Sequence, residues 1–278
     1  MRIVDNLSTG NLTNISTHIN RGSAEFVEAD IRDPDVMGKI VHDVDAAIHL
    51  AAIVSIPFSV KNPALTYEVN VNGTRNLLTS CAKSNVKKFI FISSCSIYGE
   101  PQYLPVDELH PTNPVSPYAA SKLEGEQCCE TFNENIGFDV AVLRLFNVYG
   151  PRQGLNDYSG VITKFLGNIK KERPLIIYGD GSQTRDFIHV SDVADTILTL
   201  VQNDEAKGVF NIGYGKAVSI NDLAKTVLNL SGKDYGIEYW PSRSGDIMHS
   251  FANVSKAKKA FGYSPRVSLE EGLQNLAQ

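Results

Sequence analysis

Short, almost unbroken apolar runs alternate through the first half of the chain with longer stretches in which apolar residues recur at helical spacing. The first kind reads as strands buried on both faces, the second as amphipathic helices packed on them. Arg2–Val4, Glu25–Glu28, Ala46–His49, Lys88–Ser93 and Asp139–Leu145 are predicted strands. Helices are predicted over Pro34–His42, Asn62–Ser84 and Pro117–Asn135. Asp33 is placed to cap the first, with Pro34 in its opening turn. Leu65, Val69, Leu77 and Leu78 give the second an apolar side.

This strand–helix alternation predicts an α/β fold with a doubly wound, Rossmann-like parallel sheet. Beyond residue 150 the spacing is less regular, with more Gly, Pro and aromatic residues. Helices are expected there at Ser159–Lys171, Val190–Gln202, Ile220–Leu230 and Leu269–Leu276. The expected organisation is a sheet domain over residues 1–150 and a smaller mixed α/β lobe over residues 151–278, the chain crossing between them near 175–215.

Composition narrows the function classes. The net charge is −5, and no basic run or stripe suits nucleic acid. No apolar stretch approaches the roughly 18 residues of a membrane helix. The four cysteines show no CxxC pair, so reduced thiols are expected. The six histidines form no metal-binding spacing, and no metal is expected. The opening residues lack the apolar core of a signal peptide, so the expected location is the cytoplasm.

Tyr118-Ala-Ala-Ser-Lys122 places a phenol and an ammonium one helical turn apart on one face. A tyrosine titrates near 10 and serves as a base at neutral pH only if its anion is stabilised, which a neighbouring lysine would do. A surface pair on an ordinary helix would carry the same spacing. The Lys88–Ser93 strand runs into Ser93–Gly99, and sites in open α/β sheets lie beyond such strand ends. A hydroxyl there could share a proton with Tyr118; a plain serine-rich turn is the alternative. Asp5 follows the first strand, where a carboxylate can accept ribose hydroxyls and favour NAD over NADP. Asp30-Ile31 ends the second strand and could receive an adenine, although either aspartate could equally hold a turn or cap a helix. Leu50-Ala51-Ala52 ends the third, where small residues allow a flat ring to approach the backbone.

In this order and spacing the segments resemble the extended short-chain dehydrogenase/reductases, and among them the UDP-glucose and UDP-N-acetylglucosamine 4-epimerases. The matching stretches are VDNLSTGN (Val4–Asn11), EADIRD (Glu28–Asp33), HLAA (His49–Ala52), NVNGTRNLL (Asn70–Leu78), FISSCSIYGE (Phe91–Glu100), SPYAASKLEGE (Ser116–Glu126), LRLFNVYGPRQ (Leu143–Gln153), YGDGSQTRDFIHVSDVA (Tyr178–Ala194) and RSGDIMHSFANVSKA (Arg243–Ala257).

The resemblance implies NAD-dependent 4-epimerisation of a UDP-hexose through a 4-keto sugar, with Tyr118, Lys122 and Ser94 catalytic. It implies NAD contacts from Asp5, Asn6, Asp30, Ile31, Leu50, Ala51, Ala52, Asn70 and Lys122. Substrate contacts follow from Ser96, Asn147, Tyr178, Arg185, Arg243, Asp246 and Ser250, with the two arginines on the diphosphate. Small Ser250 suggests room for a 2-N-acetyl group, and hence UDP-GlcNAc/UDP-GalNAc beside UDP-Glc/UDP-Gal. Cys95-Ser96 stands where related dehydratases carry Asp-Glu, which disfavours dehydration. A homodimer is also implied, built as a four-helix bundle from Asn62–Ser84 and Pro117–Asn135 of each copy.

The sequence departs from the family at its start, which lies at the VDN strand without the strand, GxxGxxG turn and helix that normally hold the cofactor pyrophosphate. Three arrangements are expected as alternatives: numbering that begins inside a longer protein, Arg2–Val4 moving into the vacant place, or a partner chain covering it. NAD is expected to bind more weakly than in complete relatives. A UDP-sugar-binding protein with little turnover, or a UDP-sugar decarboxylase or reductase, are the rival functions.

Overall fold

A computed structural model describes the chain apart from residues 85, 137–138, 155–158, 204–205, 244 and 278. β1 (Arg2–Asp5) and β2 (Glu25–Glu28) pair in parallel. Between them lie a 3₁₀ turn at Leu12–Asn14 and α1 (Ser16–Asn20), a short helix that the apolar spacing did not reveal. α2 (Pro34–Ile40) begins as expected, the Asp33 carboxylate accepting from the Asp35 and Val36 amides. β3 (Ala46–His49) leads into α3 (Ile56–Lys61), capped by the Ser55 hydroxyl, then α4 (Pro63–Tyr67), a π-helical turn at Glu68–Gly73 and α5 (Thr74–Lys83).

The remaining elements are β4 (Lys88–Ser94), α6 (Pro117–Ile136), β5 (Asp139–Leu145), β6 (Asn147–Tyr149), α7 (Val161–Lys170), β7 (Leu175–Tyr178), β8 (Thr184–Arg185), β9 (Phe187–His189), α8 (Val190–Gln202), β10 (Gly208–Ile212), β11 (Val218–Ser219), α9 (Ile220–Ser231), β12 (Ile237–Trp240), α10 (Ser255–Phe261) and α11 (Leu269–Ala277).

The central sheet is parallel throughout, in the order β10-β5-β4-β3. Its middle strand explains the unbroken apolar run. Phe89 and Phe91 pack on one face with Leu78, Cys81, Cys129, Val140 and Val142. Ile90 and Ile92 pack on the other with Leu143, Leu200 and Phe210. Side chains alternate between faces, and both faces are covered, so Phe89–Ile92 are all apolar, and the polar residues Lys88, Ser93 and Ser94 fall at the strand's two ends. Each such side chain contributes roughly 1.5–3 kcal/mol by leaving water. A separate core joins α7, α9 and α11 to β7 through Phe165, Leu175, Ile177, Leu223 and Leu273.

Two expectations need correction. The helix read across residues 62–84 is interrupted by the π turn, in which Gly73 lies so close to Ile31 that a Cβ would sit 2.6 Å from its Cδ1. Arg2–Val4 does not enter the central sheet. It pairs with β2, while the Arg2 guanidinium donates to the carbonyls of Ile40 and His42. Among the described residues β3 pairs with β4 alone, and no ladder joins it to β1. Among the described residues no helix is long and apolar enough to cross a membrane.

Candidate active site

The site starts where β4 ends. Ser94 is extended, and its Oγ accepts from the Ser96 amide at 3.2 Å, opening a 3₁₀ turn at Cys95–Tyr98. Gly99 follows with φ 64°, and a Cβ there would lie 2.2 Å from the Asn113 carbonyl oxygen. Only glycine permits that approach, which brings the Asn113 amide onto the Ile97 carbonyl at 2.9 Å and so aims the start of α6 at the strand end. The Ser59 hydroxyl of α3 accepts from the Tyr118 amide at 3.1 Å, fixing the first turn of α6.

Tyr118 is almost fully buried there. Burial pushes its phenol up to about 12, a hydrogen bond from Ser94 pulls it down in part, and Cys95 raises it. Lys122 donates to the Ile92 carbonyl at 2.8 Å and stands 5.0 Å from the Phe91 ring centroid. Burial lowers the Lys122 ammonium itself to about 8. The buried Ser96 hydroxyl has no hydrogen-bond partner, the one such side-chain atom among the described residues. A group of this kind is expected to have a ligand or water as its partner.

On the N-terminal side, Asp5 accepts from the Leu7 amide at 2.6 Å, and Gly10 folds against its carboxylate. Asn6 donates to Asp30 at 2.9 Å. Arg32 grips Asp30 with Nε and Nη2, at 2.9 and 2.8 Å, and holds its carboxyl well below the usual range. Asp30 is thus an already paired acceptor, not a free one. Ile31 is buried against Gly73. Leu50 and Ala51 are exposed and Ala52 half-buried, forming an open apolar ledge beyond β3.

Asn70 clamps the chain beyond β3 to the α6 helix. Its Oδ1 accepts from the Ile53 amide at 2.7 Å, and its Nδ2 donates to the Ile53 carbonyl and to Ser121 Oγ, both at 2.9 Å. Ser121 in turn donates to the Tyr118 carbonyl at 2.8 Å, so one chain of bonds runs from the ledge to the base helix. The ledge, the strand-end carboxylates and the buried Tyr118–Lys122 face are the residues that would hold a dinucleotide.

Across the cleft, Arg185 lies in the field of Cys95, Asp246 and Glu100 and donates to the Thr184 carbonyl at 2.8 Å. Burial pulls its pKa down. Glu100 accepts from the Met248 amide at 3.0 Å, and the Asp246 amide donates to Arg243, which ties this loop to the β4 end. The Arg243 guanidinium stacks over the Tyr178 ring at 3.6 Å. Ser250 is buried, its amide on the Thr184 carbonyl at 3.2 Å. Asn147 opens β6 with its amide on the Asp186 carbonyl at 2.9 Å.

Three residues escaped the sequence reading. Asp186 is fully buried and accepts from the amides of Tyr214, Gly215 and Ala252 at 2.7, 2.9 and 3.0 Å. Burial pushes it up to about 6 against those bonds. Glu126 and Arg144 form a buried ion pair at 2.7 Å. Ser93 donates to the same carboxylate, and Arg144 reaches Tyr98 Oη at 2.9 Å. Glu126 lies one turn past Lys122 on the same face, so its helical spacing was the available signal. Among the described residues no cluster of His, Cys, Asp and Glu could hold a metal ion.

The parallel sheet, the Tyr118–Lys122 face and Ser94 at the neighbouring strand end together form a candidate site for proton transfer beside a dinucleotide. The model of the NAD dependent epimerase/dehydratase family matches residues 1–213, and the chain belongs to that family. A chain of Methanocaldococcus jannaschii, provisionally named a UDP-glucose 4-epimerase, is 41% identical over 277 residues, covering 99% of this chain and 88% of its own length. The UDP-N-acetylglucosamine 4-epimerase of Methanobrevibacter ruminantium M1, solved with UDP-N-acetylmuramic acid, superposes with a TM-score of 0.95 at 36% identity, covering 99% of this chain and 88% of that one. The UDP-glucose 4-epimerase of Thermotoga maritima, solved with UDP-glucose, gives 0.93 at 37% identity, covering 99% and 89%.

Proposed function

We propose that the protein is an NAD-dependent UDP-hexose 4-epimerase, interconverting UDP-Glc with UDP-Gal and UDP-GlcNAc with UDP-GalNAc. The observation that carries this reading is the burial of Tyr118 on the α6 face that meets Ser94 at the end of β4, beside the unpartnered Ser96 hydroxyl. Tyr118, acting as an anion stabilised by the Lys122 ammonium one helical turn away, removes the proton of the sugar 4-hydroxyl through Ser94, and the same pair returns it when the alcohol re-forms. Bound NAD supplies the oxidant for the 4-carbon and, unchanged overall, its reductant. Ser96 holds a sugar oxygen. Arg185 and Arg243 hold the diphosphate about which the 4-keto sugar turns over, with Asp246 on the ribose. Residues 1–150 serve the cofactor and residues 151–278 the sugar nucleotide.

The N-acetyl half of the reading is supported by the small Ser250 and by likeness to the M. ruminantium enzyme. Incubation with NAD and each of the four UDP-sugars, followed by product separation, tests it. Formation of the 4-epimer from both pairs is expected. Binding without turnover, or a product altered beyond C4, overturns the assignment. Turnover of UDP-Gal without UDP-GalNAc removes its N-acetyl part.

A further inference from the structure

We infer that the exposed indole of Trp240 is the surface on which the nucleobase stacks; this deepens the reading above, which places a uridine diphosphate sugar in the same lobe. The Arg243 guanidinium stacks on a face of the Tyr178 ring at 3.6 Å, so that face is closed to a base. Trp240 stands directly opposite Tyr178 in the β7–β12 ladder, so both side chains leave the same side of the sheet. Their ring centroids are 5.9 Å apart at 77°, which sets the indole as a wall beside the tyrosine.

Trp240 is 45% exposed and belongs to none of the hydrophobic cores among the described residues. Its Nε1 donates to Glu238 at 3.3 Å, which steadies the ring. A large flat ring held half in water, next to a cation, is suited to a base followed by a diphosphate. Arg243 follows three residues after Trp240 and its carbonyl takes the Asp246 amide; Arg185 lies in the field of Asp246 and Cys95, and Cys95 in turn acts on Tyr118. Base, diphosphate and sugar thus fall on Trp240, the two arginines and Tyr118 in sequence. Tyr178 then serves to orient Arg243.

Trp240 is the only tryptophan in the chain, so its emission reports on this point alone. UDP is titrated against the intact protein by fluorescence and by calorimetry, with inorganic pyrophosphate as the base-free probe. A saturable change in emission with UDP, and none with bound pyrophosphate, is expected. Trp240→Ala weakens UDP by about tenfold and Trp240→Phe by less than about threefold, because a smaller ring still stacks. Pyrophosphate affinity stays unchanged in both variants. UDP binding with constant emission and wild-type affinity in Trp240→Ala overturns this inference and leaves the epimerase reading intact. Equal weakening of pyrophosphate also overturns it. Failure of the wild-type protein to bind UDP overturns both.

Discussion

The Lys122 ammonium donates to the carbonyl of Ile92 at 2.8 Å, within the strand that carries Ser94. Burial lowers its pKa from 10.5 to about 8, so below pH 8 the fold holds a charge that water would solvate better. The unfolded chain keeps that proton up to about 10.5, and stability therefore rises with pH between 8 and 10.5. Lys122→Met is expected to raise stability at pH 7 by about 1–2 kcal/mol, after loss of the Ile92 bond, while turnover falls at least about 100-fold. The stability gap should close by pH 10. Urea unfolding at pH 7 and pH 10, with product assays, checks both halves.

Tyr118→Phe removes the proton carrier but keeps the ring. Turnover is expected to fall roughly 10³-fold, within the range of general acid–base groups, while UDP affinity stays within about threefold. Ser94→Ala loses roughly tenfold to 100-fold, and Ser94→Thr recovers part of it because the hydroxyl returns. Steady-state rates and UDP calorimetry on the three variants provide the measurement.

The Glu126–Arg144 pair is buried on both sides, with side-chain exposures of 7% and 9%. Glu126→Ala strands the guanidinium and is expected to cost roughly 3–5 kcal/mol. The double replacement Glu126→Leu with Arg144→Met removes both charges and should cost less than the single change. Urea midpoints of the two variants at pH 7 decide the order.

His49 is buried, its Nε2 at 2.8 Å from Thr74 Oγ1. The Thr74 hydroxyl donates to the Asn70 carbonyl at 2.6 Å, so the histidine must supply the proton of the shared contact. Burial depresses its pKa from 6.5 to about 3, with Lys122 acting in the same direction. Folded His49 stays neutral while the unfolded ring takes a proton below 6.5, so stability is present above 6.5 and is lost as pH falls toward 3. The slope approaches about 1.4 kcal/mol per pH unit. His49→Gln should flatten the curve between pH 5 and 6.5, as unfolding at three pH values in that window measures.

The central sheet was legible because burial on both faces writes itself as an uninterrupted apolar run, as at Phe89–Ile92. The Tyr118 and Lys122 face was legible from helical spacing. What those side chains bond was not: Lys122 chooses Ile92, and Asn70 spends its amide on Ile53 and Ser121, because partners distant in sequence meet only through the fold. α1 and α3 were missed for another reason. Each is a single turn or little more, held by local caps such as Ser55 and too short to show a period.

The π turn at Glu68–Gly73 fits one more residue into its loop than the α-ladder on either side. Excising a single residue from it would rotate everything downstream by about 100°. Leu78 and Cys81 would then swing out of the apolar layer and Thr74 away from His49, while α4 stayed in place. That extra residue is thus a phase correction between two surfaces, one clasping the base helix and the other packing on the sheet. Insertions and deletions should be tolerated far worse there than in the exposed turn at Gly22.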